Sequence, residues 1–249
     1  MKPLLLISND DGIDSPFLPA FVKAMAEVAD IEIVVPAKEQ SWIGRAYSRH
    51  SKLKVEKVDF LGFKTHTVSG TPSDCVNIAL SYICKNPDAV VSGLNIGQNI
   101  AFPLLWSSGT FSAAVEAAAW GFPAFAFSMR LEKQFYEACR LRHEPPHEGC
   151  SLLKNLEDAS KKSAEYVIDT LKTKINFGEV KNVNFPIKYT LQTPFKECIP
   201  ARATAKPLYV ENNGEYEFKY AMTAIDTDEL TDYKCLENGC ACHSTISIF

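Results

Sequence analysis

Residues 4–12 read LLLISNDDG, a short apolar run that passes directly into polar residues and a glycine, and this stretch decides the fold. A run that is continuously apolar, rather than alternating, is typical of a parallel strand buried on both faces. Similar runs follow at residues 31–35, 89–92 and 124–128. Segments with helical periodicity lie between them, at residues 17–29, 72–84 and 111–120. The alternation predicts a three-layer α/β fold, with a Rossmann-like, mostly parallel sheet between two layers of helices.

Length and charge limit the classes of protein to consider. The chain has 249 residues, of which 46% are hydrophobic, and a net charge of −4 from 26 Lys and Arg against 30 Asp and Glu. A chain of this length is expected to form one domain, residues 1–249. DNA and anionic membranes are not expected partners, because both are bound through clustered positive charge.

The sequence favours a cytoplasmic protein. The N-terminal apolar run is shorter than a signal peptide requires. The least polar later stretch, residues 113–129, contains Glu116 and is shorter than the ~20 residues of a membrane-spanning helix. We therefore expect the eight cysteines to be reduced thiols.

The composition changes twice along the chain. Residues 1–130 and 159–186 are expected to form the α/β core, and the charged segment 131–158, with Pro145 and Pro146, an insertion or lid. Ala164, Val167, Ile168 and Leu171 predict a returning amphipathic helix. Residues 187–249 predict β-hairpins, one turning at Asn213–Gly214 before the alternating Tyr216, Phe218 and Tyr220, and one at Asn238–Gly239. Since hairpins are rarely stable alone, this region is also expected to mediate oligomerisation.

Polar residues follow three of the predicted strands. Asp10 and Asp11 come after the first, Ser41 after the second, and Asn95 and Asn99 after the third. The carboxyl ends of parallel strands meet at one rim, where ligands bind. Two adjacent carboxylates with other oxygen donors favour a hard cation such as Mg²⁺, Mn²⁺ or Ca²⁺. Alternatively, Asp10 and Asp11 cap a helix or line a turn with Gly12.

Two helix starts carry small and hydroxyl residues. Ser108, Gly109 and Thr110 precede one predicted helix, where unpaired N–H groups can bind a phosphate. Simple N-capping by Ser108 or Thr110 is an equal alternative. The same ambiguity applies to residues 70–74, in which Thr71 and Asp74 have the spacing of a capping pair.

Several familiar motifs are absent or incomplete. The chain has no P-loop, no G-x-G-x-x-G after the first strand, no H-E-x-x-H and no G-x-S-x-G. The C-terminal group Cys235, Cys240, Cys242 and His243 suggests zinc but lacks a C-x-x-C spacing, so packing thiols are the favoured interpretation.

Taken together, the rim residues resemble those of the SurE family, the stationary-phase survival protein E nucleotidases. Five segments carry the resemblance in the family's order, and a weaker similarity continues at residues 182–186, 226–228 and 238–239. The five segments are 7–16, ISNDDGIDSP; 35–41, with VPA and QS; 70–76, GTPSDCV; 92–99, SGLNIGQN; and 108–117, with SGT, AA and EA.

The resemblance implies a SurE-like fold and a cytoplasmic homodimer or homotetramer. It implies a 5′-nucleotidase that hydrolyses nucleoside 5′- and 3′-monophosphates, with possible action on polyphosphate, and one divalent ion per subunit, Mg²⁺ or Mn²⁺. The implied metal ligands are Asp10, Asp11, Ser41 and Asn95, and the implied phosphate-binding residues are Asn99, Ser108, Gly109 and Thr110. Asp10, Asp11 and Asn99 are the implied catalytic residues.

The sequence departs from the family pattern beside the expected pocket. Trp42 stands where glycine is usual, and residues 106–108 carry one residue more than the usual motif. We expect water to attack phosphorus directly, although attack by Asp10 or Asp11 is an alternative. A catalytically silent nucleotide or polyphosphate binder is the rival function, and an assembly protein built on the hairpins is a third interpretation.

Overall fold

A computed structural model describes residues 2–141, 143–205, 207–219, 222–226 and 228–249. The strands in chain order are β1 (Leu4–Ser8), β2 (Asp30–Pro36), β3 (Val55–Phe60), β4 (Phe63–Val68), β5 (Ala89–Ile96), β6 (Ala124–Met129), β7 (Glu179–Phe185), β8 (Phe195–Glu197), β9 (Ala203–Ala205), β10 (Tyr209–Asn212), β11 (Glu215–Phe218), β12 (Met222–Ile225) and β13 (Ala241–Ser247). The helices are α1 (Leu18–Val28), α2 (Pro72–Ile78), α3 (Phe102–Ser107), α4 (Gly109–Ala119), α5 (Lys133–Tyr136), α6 (Ser151–Leu171) and α7 (Asp232–Glu237), with π-helical turns at Ala79–Ile83 and Glu137–Leu141.

The main sheet has nine strands in the order β3-β4-β2-β1-β5-β6-β7-β13-β8. The central strands pair in parallel, as in the register of Leu5 with Ile31 on one side and with Ala89 on the other. Strand β13 is antiparallel to β7 and closes the sheet on that side together with β8. The order reverses at β1 and β5, so their carboxyl ends border a crevice in which a ligand can bind.

Both faces of the sheet are covered by helices. Leu5 and Ile7 of β1 pack in the cluster that includes Phe21 of α1 and Val167 of α6. Leu6 points to the opposite cluster, where it packs with the residues of α2 and α4. Burial on both sides explains why the run in β1 is continuously apolar. The predicted three-layer, mostly parallel α/β fold is confirmed.

Several predicted elements have different bounds in the structure. Residues 72–84 form α2 and then a π-helical turn at Ala79–Ile83, rather than one α-helix. The returning amphipathic helix is confirmed, but α6 begins at Ser151, inside the segment that the sequence assigns to an insertion. Its first turns pack through Leu152 and Leu156 on the main core, which gives that part of the segment a fixed place.

One hairpin prediction is confirmed and one is wrong. Strands β10 and β11 pair across Asn213–Gly214, while Tyr220 lies outside the described residues. At Asn238–Gly239 the chain instead ends α7, since Asn238 is its C-cap and Gly239 has a φ of +71°. The following strand, β13, pairs with β7 in the main sheet rather than with a hairpin partner.

None of the helices within the described ranges combines the length and apolarity needed to cross a membrane.

Candidate active site

The loops after β1, β2 and β5 meet at one rim of the sheet. The backbone N–H of Gln40 donates to the carbonyl oxygen of Asp10 at 2.7 Å, and this bond joins the first two loops. The backbone N–H of Ile96 donates to Oδ2 of Asp11 at 3.0 Å, which joins the first loop to β5. Residues more than eighty positions apart are therefore held together by hydrogen bonds.

The start of α4 positions the carboxylate of Asp10. The Thr110 hydroxyl donates to Oδ1 of Asp10 at 2.5 Å, and Thr110 is fully buried. Gly109 permits this approach, because a Cβ at that position would lie 2.7 Å from Cβ of Asp10. Thr110 thus orients a carboxylate rather than serving as an exposed phosphate ligand.

Ser108 is the N-cap of α4. Its hydroxyl oxygen accepts a hydrogen bond from the N–H of Phe111 at 3.0 Å, which is the capping alternative. The same side chain also lines the cavity described below, so Ser108 can cap the helix and still contact a bound ligand. At residues 70–74 the capping alternative holds as well, with a full capping box between Thr71 and Asp74.

The turn after β1 is closed by Asn9 rather than by either aspartate. Nδ2 of Asn9 donates to the carbonyl of Gly12, and the N–H of Gly12 donates to Oδ1 of Asn9. Helix α1 has no side-chain cap. Neither aspartate side chain closes the turn or caps helix α1. The turn-or-cap alternative therefore does not explain why Asp10 and Asp11 stand here.

Arg140 is a site residue that the sequence did not reveal. It comes from the π-helical turn Glu137–Leu141 within the segment expected to be a lid. Its guanidinium forms hydrogen bonds with Asp11, with Glu39 and with the hydroxyl of Ser41. No motif marks Arg140, because its contacts lie about a hundred and more positions away in the sequence.

Burial makes both carboxyl groups weaker acids. It raises the pKa of Asp11 to about 8, with a further contribution from the negative charge of Asp10, while Arg140 acts in the opposite direction. Burial likewise raises the pKa of Asp10, against the hydrogen bond from Thr110 and the charge of Arg140. Two buried carboxylates on one rim are costly unless positive charge is beside them.

A cavity of about 600 Å³ opens in front of this rim. Its lining includes the polar residues Asp10, Ser41, Asn95, Asn99 and Ser108, and also the aromatic residues Trp42 and Phe218. The rings of Trp42 and Phe218 meet edge to face with centroids 5.1 Å apart. The cavity thus has both polar and aromatic lining residues, and the unusual Trp42 is one of the aromatic ones.

Asn99 is fixed by a network of amides. Its N–H donates to Oδ1 of Asn184, and its side-chain Nδ2 donates to the hydroxyl of Ser128, both at 2.8 Å. Asn182 and Asn184 each donate to the carbonyl of Asn99 at 2.9 Å. The weaker similarity at residues 182–186 was the available signal for these two supporting residues.

The donors at this rim suit a hard cation and a phosphate, and of the two aspartates Asp10 lines the cavity whereas Asp11 does not. The carboxylates of Asp10 and Asp11, the hydroxyl of Ser41 and the amide of Asn95 offer oxygen atoms only. Nδ2 of Asn95 donates to the carbonyl of Gly97 at 3.1 Å, which fixes that amide and leaves its oxygen as an acceptor. Beside them, Ser108 and the first turn of α4 offer hydroxyl and N–H groups for an anion.

The C-terminal cysteines are grouped differently from the sequence expectation. The sulfur atoms of Cys198, Cys235 and Cys242 lie together, whereas Cys240 is outside this group of three. The ring of His243 stacks on Phe195 with centroids 5.0 Å apart. All eight cysteines are free thiols.

The chain is similar to proteins of one family. The family described as "Survival protein SurE" matches residues 5–206. A relative from Flavobacterium johnsoniae, "5′-nucleotidase SurE", is 33% identical over 247 residues, which cover 96% of this chain and 88% of the relative. A protein of the same name from Methanoculleus marisnigri is 45% identical over 134 residues, which cover 54% of this chain.

The matched lengths differ among these relatives. The chain spans about half the length of the Methanoculleus marisnigri protein, since the match covers 51% of it. Among solved structures, the "Sure Protein from Aquifex aeolicus" is similar with a TM-score of 0.73 at 25% identity, over 99% of this chain and 94% of that one. The similarity of fold therefore extends into the C-terminal region.

Proposed function

Since this chain belongs to the SurE family, we propose that it is a phosphatase that depends on a divalent metal and hydrolyses nucleoside 5′- and 3′-monophosphates. One observation carries the proposal. Asp10, Ser41 and Asn95, from three separate strand ends, line the same cavity as Ser108 at the start of α4. Oxygen donors for a cation and N–H donors for a phosphate thus lie side by side.

The metal is proposed to be one Mg²⁺ or Mn²⁺ per subunit, held by Asp10, Asp11, Ser41 and Asn95. The raised pKa of both aspartates supports this, because a bound cation removes the cost of two buried negative charges. When bound, such an ion supplies positive charge for phosphoryl transfer and makes water more acidic. The residues present fit this ion better than zinc, since no thiolate or imidazole lines the cavity among the described residues.

The chain's own residues would then hold and orient the phosphate. Asn99, Ser108 and the backbone N–H of Gly109 are proposed to donate to its oxygens, which is supported by the position of Asn99 and Ser108 in the cavity lining. Thr110 orients Asp10 through its hydroxyl. Arg140 already contacts Asp11 and Ser41, so it is within reach of a phosphate that binds between them. A bidentate guanidinium is well suited to that anion.

Attack by water is favoured over attack by an aspartate. Both oxygens of Asp11 accept hydrogen bonds, from Ile96 and from Arg140. Oδ1 of Asp10 accepts the short bond from Thr110. Carboxylates engaged in this way are weak nucleophiles. Asp10, Asp11 and Asn99 are therefore proposed to act by positioning and charge rather than by covalent attack.

The aromatic side chains that line the cavity are proposed to bind the base of the nucleotide. Trp42 and Phe218 offer ring faces on which a base can stack. Gln98 also lines the cavity, and its buried Oε1 has no hydrogen-bond partner within the described residues, so it can accept a hydrogen bond from the nucleoside. Polyphosphate is proposed as a second substrate because Arg130, Lys133 and Arg140 line the same cavity.

Charge-neutral variants of the two aspartates test the proposal. Asp10→Asn and Asp11→Asn should each lower kcat/KM for a nucleoside monophosphate by ~100-fold, since each removes charge that binds the cation. Asp14→Asn is the matched control, because Asp14 is an exposed residue of the same loop. Released phosphate is measured with Mn²⁺ and again with a chelator, which should abolish the activity.

Two results would contradict the proposal. Unchanged turnover in both aspartate variants would remove the site from consideration. Calorimetric binding of the nucleotide by the wild-type chain without any release of phosphate, with Mn²⁺ present, would instead support the catalytically silent binder.

A further inference from the structure

Three buried thiols converge at a place that the proposed reaction does not use. The sulfur atoms of Cys198, Cys235 and Cys242 all lie within 4.8 Å of one another. Their residues are 7%, 3% and 1% exposed. Within the described ranges, this is the one group of three or more His, Cys, Asp or Glu side chains with such spacing.

The three thiols come from different elements whose backbones are fixed. Cys198 directly follows β8, and its N–H donates to the carbonyl of His243 in β13 at 2.8 Å. Cys242 lies in β13 itself, next to that acceptor. Cys235 lies in α7, whose start is capped by the Thr231 hydroxyl. The geometry of the cluster is therefore set by the sheet and by a capped helix.

Two of the three thiols make only long hydrogen bonds to backbone carbonyls. The thiol of Cys235 donates to the carbonyl of Ala241 at 3.6 Å, and that of Cys242 donates to the carbonyl of Asp232 at 3.9 Å. Because the three sulfur atoms face one another at short range, a cation bound between them can replace the three thiol protons.

We propose that Cys198, Cys235 and Cys242 bind one Zn²⁺ ion as thiolates in a structural site. Three S–H bonds break, three S–Zn bonds form, and the three protons pass to solvent without any change of oxidation state. With Zn–S bonds of ~2.3 Å, sulfur atoms in a tetrahedral site lie roughly 3.8 Å apart, so small side-chain movements close the site.

The fourth ligand and the charge can be met locally. Cys240 lies outside the group of three, so water would supply the fourth ligand. Three thiolates with Zn²⁺ leave one negative charge, and Lys196, two positions before Cys198 in the chain, carries a charge of the opposite sign. Asp232 is engaged elsewhere, since it accepts the N–H groups of Ala101 and Ala201.

The proposed ion would fasten the C-terminal part of the chain to the sheet. It would join the loop after β8, helix α7 and strand β13, which are short elements with a small shared core. That core also contains Ile100, the neighbour of Asn99 in the cavity. The site is structural and distinct from the oxygen site, because thiolates select a softer ion than carboxylates do.

Cobalt substitution tests the proposal without reference to turnover. Reduced wild-type protein, prepared without a histidine tag, should carry about one zinc ion per chain by metal analysis. Replacement by Co²⁺ should give the charge-transfer absorption of a thiolate ligand. Cys198→Ala and Cys242→Ala should lose both signals, whereas Cys84→Ala, which removes a buried thiol from another cluster, should keep them.

The outcomes separate this proposal from the proposed function. An ion at Asp10 and Asp11 has oxygen ligands and gives no thiolate absorption, so loss of phosphatase activity does not affect the result. Should the cysteine variants fail to fold, the cobalt spectrum of the wild-type protein decides. Folded, reduced wild-type protein without zinc and without thiolate absorption would overturn the proposal, as would a disulfide between two of the three thiols or full zinc retention by Cys198→Ala.

Discussion

At the scale of single residues, the site depends on two buried acids that are adjacent in the chain. Asp10 and Asp11 are each 3% exposed, and the guanidinium of Arg140, which contacts Asp11, is shared with Glu39 and Ser41. Without a cation, this arrangement favours protonated carboxyl groups. The folded protein therefore resists ionisation at the place where the proposed reaction needs negative charge to hold a metal.

The raised pKa of Asp11 predicts how the stability of the metal-free protein depends on pH. The pKa of Asp11 is about 8 in the folded state, above its usual value of 3.8. Between these values the folded state retains a proton that the unfolded state releases. The free energy of unfolding should therefore fall as pH rises from about 4 to about 8, by at most about 1.4 kcal/mol per pH unit for one proton.

Denaturant unfolding in the presence of a chelator measures this slope. Asp11→Asn should flatten it, because the variant has no proton to lose, while the exposed Asp14→Asn should retain it. Equal slopes in the wild-type protein and in Asp11→Asn would show that Asp11 ionises normally.

The residue types of the site could be predicted, but not all of their roles. Asp10, Ser41, Asn95, Asn99 and Ser108 stand at strand and helix ends, and the structure places all five in one cavity. The role of Thr110 behind Asp10 depends on a close approach that only the folded chain shows. Arg140 could not be found because a lone arginine in a charged segment has no distinguishing pattern.

At the scale of elements, the start of α4 is the most constrained part of the site. Gly109 lets the helix approach Asp10 and the carbonyl of Gln40 closely. A Cβ at position 109 would lie 2.7 Å from Cβ of Asp10 and 3.1 Å from the carbonyl oxygen of Gln40. Most of those atoms belong to backbone or to the base of a short side chain, so they cannot move aside freely.

Gly109→Ala is therefore expected to displace Asp10 and lower kcat/KM by ~10- to 100-fold, with a smaller loss of stability, since small displacements in a site are costly for the rate. Gly214→Ala is the control for backbone strain, because its φ of +81° disfavours alanine although a Cβ there meets no atom within 4 Å. It should lose stability and keep the wild-type kcat/KM. Steady-state kinetics and thermal unfolding of both variants give the comparison. Wild-type kinetics in Gly109→Ala would mean that the close approach is not important for the site.

The elements differ in how clearly the sequence marks them. Strands β1, β2, β5 and β6 each contain a short, continuously apolar run and were found. Strands β3 and β4 were missed because β3, with the sequence VEKVDF, lies at the sheet edge and is mostly exposed, so it lacks a buried run. Asn238–Gly239 was misinterpreted because the same dipeptide suits both a hairpin and a helix end.

At the scale of the whole molecule, the hairpin β10–β11 exposes a group of aromatic side chains. Tyr209, Tyr216 and Phe218 lie on one face of the hairpin and are all exposed. Exposed aromatic groups of this kind are typical of a protein interface. They support the proposal that the chain forms a homodimer or homotetramer.

The double variant Tyr209→Ser/Tyr216→Ser should shift the assembly toward monomers, because it removes two of these aromatic groups. Light scattering after gel filtration measures the mass directly. Tyr82→Ser is the control, since Tyr82 is also an exposed tyrosine but lies on the π-helical turn after α2. A wild-type chain that is monomeric at every concentration would contradict the proposal.

The central claim is that three strand ends hold a divalent cation next to a helix start that binds the phosphate. The anomalous difference map of a crystal grown with Mn²⁺ tests it most directly. The account predicts a peak contacted by Asp10, Asp11, Ser41 and Asn95, with Arg140 moved away from Asp11. A map with no peak at that rim, in which Arg140 still contacts Asp11, would contradict it.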